Sequence, residues 1–72
     1  MTGWQALANA IVEQAAKDYR ADIRLVKKNP DAKAALKDAL EIEKFFHSGW
    51  YSMLTDVDGD YLIKRLRREA MK

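Results

Sequence analysis

The acidic run Asp56-Val57-Asp58-Gly59-Asp60 is the first stretch whose residue types suggest chemistry. Alternating carboxylates beside a glycine resemble the start of a calcium loop. Such a loop needs oxygen ligands at positions 1, 3 and 5, Gly at 6 and a bidentate Glu at 12. Counted from Asp56, position 6 is Tyr61 and position 12 is Arg67. The glycine comes early, and a cation stands where the chelating acid belongs. These acids fit a helix start better. Asp58 suits an N-cap, and Asp60 suits a first turn, where the helix dipole favours anions. Glu43 and His47 lie one helical turn apart, with Asp22 as the third ligand a metal would need. A chain with a single His and no Cys is poor material for a zinc site. No nucleophile–base pair, phosphate-binding glycine loop or paired-acid motif is present. The expectation is a non-enzymatic protein without metal or cofactor.

Two other sets of residues point to binding. The first is basic. Residues 64–72 hold Lys64, Arg65, Arg67, Arg68 and Lys72 against Glu69 alone, in a chain of net charge +2. The remaining body is therefore slightly acidic. Lys64, Arg65, Arg67 and Arg68 on one helix could contact phosphates in a salt-sensitive way. A helix-turn-helix alignment is imperfect, because Val57 falls where the turn glycine belongs. Asp56, Asp58 and Asp60 also crowd the end that would face DNA. The second set is aromatic: Phe45, Trp50, Tyr51 and Tyr61. They exceed what a small three-helix core needs, and Trp and Tyr dominate protein-binding hot spots. Trp50 is expected to fold back over Phe45. Tyr51, its neighbour, is then expected to face outward, since adjacent residues on a helix cannot both point in.

The elements that must position these residues follow from periodicity. Residues 3–28 read as one long helix, with Trp4, Leu7, Ala8, Ile11, Val12, Ala15, Tyr19, Ile23 and Val26 on one face. Thr2 and Gln5 have the spacing of a capping box. Asp22 sits in the apolar stripe, so either that end is partly exposed or a basic side chain meets it. Asn29-Pro30-Asp31 marks a corner, with Asn29 as cap and Pro30 opening a second helix that runs to about His47. Its apolar side holds Ala35, Leu36, Ala39, Ile42 and Phe46, with Leu40 at the edge. Ser48 caps a short helix over Gly49–Leu54, with Trp50, Met53 and Leu54 turned inward. After a corner at residues 55–59, a last helix reaches about Ala70, with Leu62, Ile63, Leu66 and Ala70 as its apolar stripe. The fold class is all-α: a long antiparallel helical hairpin closed by a short helix and a C-terminal helix, all within one domain spanning residues 1–72.

Size and composition fit this plan. Seventy-two residues support one modest core. With 49% apolar and 33% charged residues the chain has a folded composition. No apolar run approaches the ~20 residues that span a bilayer, and no signal pattern opens the chain, so a cytoplasmic location is expected.

The run FFHSGWYSMLTDVDGDYLIKRLRRE covers about a third of the chain. It resembles a segment of small uncharacterised helical proteins from prophages and mobile elements of Gram-positive bacteria, with weaker agreement in the Trp-initiated first helix. That resemblance implies a genetic setting and no mechanism, and it transfers no functional residue. Small proteins of that setting often act by binding host or phage proteins, or nucleic acid. The preferred expectation is an accessory factor that binds a protein partner through Phe45, Trp50, Tyr51 and Tyr61. A homodimer is included in that expectation. The alternative is nucleic-acid binding through the basic C-terminal helix.

Overall fold

The computed structural model describes residues 3–71. Four helices follow in order: α1 (Gly3–Lys28), α2 (Lys33–Phe46), α3 (Gly49–Leu54) and α4 (Gly59–Ala70). No strand occurs among the described residues, so the fold is all-α. The capping residue expected at Thr2 and the terminal Lys72 lie outside the described residues.

No Gly or Pro interrupts α1 after its first residue, and Lys27 and Lys28 occupy its last turn beside the negative pole of the dipole. Its 26 residues make a rod of roughly 39 Å. The molecule measures 41 Å along its longest axis, so this one helix sets the length. α2 runs antiparallel to it: Tyr19 bonds Glu43, and Asp22 faces Asp38. α4 returns in the direction of α1, because Tyr19, Arg20 and Lys27 meet Arg67, Glu69 and Met71 in turn.

The first corner differs from expectation. α2 begins at Lys33 rather than Pro30, and Ala32 holds the N-cap position without a side-chain bond. Asn29 Oδ1 instead accepts the Asp31 N–H at 3.1 Å. Asn bonding two residues ahead forms a turn of its own, and Pro30 sits in that turn. The second corner follows the sequence reading. Ser48 Oγ accepts the Tyr51 N–H at 3.1 Å and donates to the Phe45 carbonyl at 2.6 Å. One hydroxyl thus joins the end of α2 to the start of α3. At the third corner Asp58 occupies the N-cap position in extended geometry, but its side chain makes no capping bond. Gly59 matters more. It is buried, and an added Cβ would collide with the Phe46 carbonyl oxygen. Close backbone approach, not a left-handed conformation, requires glycine here.

The core gathers Tyr19, Ala39, Phe46, Tyr51, Ile63 and Leu66. Its rings meet edge to face: Tyr19 with Phe46 at 6.0 Å, Phe46 with Tyr51 at 5.4 Å and Phe45 with Tyr51 at 5.7 Å between centroids. Such pairs add about 0.5–1.5 kcal/mol each beyond area burial. The inward face of α3 matches expectation at Leu54 and differs at Trp50, Tyr51 and Met53. Tyr51 is buried together with Leu54, while Trp50 and Met53 are exposed. Residues 50 and 53, like 51 and 54, stand three apart, so either pair can share a face. Tyr51 takes the inside because it fits against Phe45 and Phe46, and Trp50 instead meets Trp4 of α1. Phe45 is covered as expected, but by Tyr51. In α1 the buried stripe also shifts: Ala8 and Tyr19 are inside, whereas Trp4 and Leu7 are exposed.

The contact at Gly59 gives a direct test. Gly59→Ala must push α4 away from the backbone of Phe46. A loss of about 2–3 kcal/mol is expected in urea unfolding. Gly49→Ala, whose Cβ would meet nothing within 4 Å, should be neutral or slightly stabilising.

Candidate functional site

Two surfaces and one partly buried polar knot account for the residues singled out above. The knot lies where α1, α2 and α4 meet. Tyr19 is fully buried, with 0% of its surface exposed. Its hydroxyl donates to Glu43 Oε2 at 2.7 Å and accepts from Arg67 Nε at 2.8 Å. Arg67 Nη2 closes the ring on the same Glu43 oxygen at 2.8 Å. Burial raises the Tyr19 pKa, and Glu43 adds to that rise. Burial also pushes on Glu43, but hydrogen bonds from Arg67 and Tyr19 outweigh it and hold that carboxyl below its ordinary range. The Glu43 bond raises the Arg67 pKa further, so the guanidinium stays charged.

This geometry redistributes the basic residues proposed for nucleic acid. Arg67 is half exposed but committed to Glu43 and Tyr19. Arg65 Nε bonds Glu69 at 3.3 Å, and Arg20 holds the other oxygen of that carboxylate at 2.8 Å. Lys64 and Arg68 are exposed, and Lys64 lies near the Asp60 carboxylate. The four do not form a continuous row of uncommitted cations. Glu43 and His47 part company too: His47 Nε2 pairs with Asp60 Oδ1 across the α2–α4 corner. Among the described residues no group of three or more His, Cys, Asp or Glu could hold a metal. Among the described residues no helix is long and apolar enough to cross a membrane.

The aromatic residues separate into an inner and an outer group. Tyr51 is 2% exposed, which corrects the expectation that it faces solvent. Burial raises its pKa, and the Asp58 charge adds to that. Phe45 is half-buried, packed against Phe46 and Tyr51. Trp50 and Tyr61 are exposed, as proposed for a contact surface. They do not stand alone. Trp4 and Trp50 meet edge-on at 6.2 Å, each with nearly half of its surface free. Leu7 follows Trp4 by three residues and Met53 follows Trp50 by three, and both are exposed. The result is an apolar patch where the N-terminal turns of α1 meet α3. Trp4 and Leu7 were read as core because they share the helical stripe. The buried face of α1 runs instead through Ala8, Val12, Ala16, Tyr19 and Ile23, which leaves Trp4 and Leu7 outside it.

The second surface is an open groove of about 570 Å³ between α1 and α2. Ile11 and Ala15 from α1 and Ile42 and Phe45 from α2 form its apolar floor, and Asp18, Asp38 and Glu41 stand along it. Asp22 lies beside this acidic set. Its Oδ2 is buried without a hydrogen-bond partner. Burial is the main cause that raises its pKa to about 6, and Asp38 and Asp18 add to it. Of the two expectations for Asp22, partial exposure holds, and the charges that act on it are those of Asp38 and Asp18 rather than of a basic side chain.

No protein-family model, curated protein or solved structure matches this chain.

The stability of the two polar clusters can be measured separately. Arg67→Ala removes both bonds to the knot and should cost about 1–2 kcal/mol in urea unfolding. Arg68→Ala should stay within about 0.5 kcal/mol of the parent. Asp22 behaves oppositely with pH. An acid with a higher pKa when folded binds its proton more tightly in that state. It therefore favours folding at low pH, and this contribution is lost as pH rises from its ordinary 3.8 to about 6. Asp22→Asn should stabilise the protein by about 1 kcal/mol at pH 7, allowing for partial exposure. That advantage should shrink as pH falls through 6 towards 4, which thermal melts of both proteins across the range will show.

Proposed function

We propose that this chain is a small non-enzymatic helical binding protein that acts on another protein. The observation that carries this reading is the Trp4–Trp50 pair. Two large rings meet edge to face on the surface, with exposed Leu7 and Met53 one turn along from them. A small domain has few apolar side chains to bury, and leaving both tryptophans half in water is costly unless something covers them. Trp is also the residue most enriched where single side chains dominate affinity. Tyr61, exposed on α4, is a further candidate contact, whereas Tyr51 is buried and Phe45 half-buried, packed against Phe46 and each other. An accessory role in a prophage or mobile element belongs to the same proposal and is supported by the resemblance of residues 45–69 alone.

Tagged protein passed over a bacterial lysate tests this reading. A protein captured by the parent should survive nuclease treatment. It should be lost with the double variant Trp4→Ala/Trp50→Ala, whose helix content and melting cooperativity are checked in parallel. Capture that disappears with nuclease and depends on Lys64 and Arg68 would instead support nucleic-acid binding. Capture that is indifferent to both tryptophans would remove the aromatic patch from the function.

A further inference from the structure

We infer that the open groove between α1 and α2 receives a basic amphipathic helix from a partner protein. This inference rests on the protein-binding role proposed above and names a second contact with its chemistry. Its floor is apolar, with Ile11, Ala15, Ile42 and Phe45 presented from two antiparallel helices. The groove residues Ala10–Asp18 cover about 12 Å of α1, roughly two turns of an incoming helix. That is enough for anchors at i, i+3 or i+4, and i+7. The charge along the groove is of one sign. Asp18, Asp38 and Glu41 line it, and no Lys or Arg does. Asp18 accepts a bond from Gln14, and among the described residues none of these acids joins an ion pair. Asp22 behind them has only acids among the charges that shift it. Lysines flanking an apolar stripe would answer both the floor and the charge.

A second copy of this chain fits poorly. A symmetric contact through the groove would bring Asp18, Asp38 and Glu41 against their own counterparts, and like charges facing one another oppose association. The basic helix α4 cannot enter the groove of another copy with an apolar face. Ile63, Leu66 and Ala70 are already buried in its own core.

Two peptides of about 18 residues, a length sufficient for several helical turns, test the assignment. Both carry the same Leu stripe. One has Lys flanking it and the other Glu. Binding is read by fluorescence anisotropy at low salt, and its place by amide chemical shifts. The Lys peptide should bind at least about tenfold more tightly, a difference of roughly 1.4 kcal/mol, and move Ile11, Ala15, Ile42 and Phe45. In the variant Asp18→Lys/Glu41→Lys, both positions being exposed, the preference should reverse. Equal binding of the two peptides, or shifts centred on Trp4 and Trp50, would overturn the groove assignment. So would a concentration-dependent dimer in sedimentation whose contact maps to the groove. Lysate capture that needs Trp4 and Trp50 alongside a silent groove leaves the binding role standing without this partner. Peptide binding in the groove alongside failed capture removes the aromatic patch instead.

Discussion

The structure depends on a phenol hydroxyl placed between a carboxylate and a guanidinium. Tyr19, Glu43 and Arg67 come from α1, α2 and α4, and each bonds both of the others. An amphipathic helix can slide or rotate against another with little penalty while the contacts are only apolar. A closed ring of charge-assisted bonds at 2.7–2.8 Å allows one register. The hydroxyl end of Tyr19 is therefore satisfied while its ring packs against Phe46. The same side chain serves the apolar core and the polar knot. In a chain with no disulfide available, this is the element that fixes how three helices meet.

Most of the helical plan was legible in the sequence, and its failures are informative. The end of α1, the Ser48 corner and the stripe Ile63–Leu66–Ala70 all follow from local rules that tertiary contacts do not override. The start of α2 was misread because Asn29 can cap a helix or close its own turn, and a sequence does not say which. The face of α3 was misread because six residues are too few for periodicity to choose between two faces. That choice was made by the ring neighbours of Tyr51 on α2. Arg67 looked like one basic residue among several. Nothing along the chain marks it as the partner of Tyr19, 48 residues away.

The surfaces follow from a mismatch of lengths. α1 is nearly twice as long as α2, and α3 is a single short segment. The N-terminal turns of α1 therefore lack a full complement of neighbours, and Trp4 and Leu7, which lie off its buried face, stay on the outside. The same hairpin is covered by α4 along the side that carries Tyr19 and Glu43, and the side with Ile11 and Ile42 stays open. Exposed apolar area here is a result of topology rather than of composition.

Charge is spread unevenly over the surface. Among charged side chains only carboxylates line the uncovered side of the hairpin, while α1 and α4 each carry more cations than acids. Such a body has a lateral electric polarity, and it would not approach a charged object in random orientation. The carboxylates of the uncovered side would turn a polyanion away from it. That side is therefore the one a cationic surface reaches most readily.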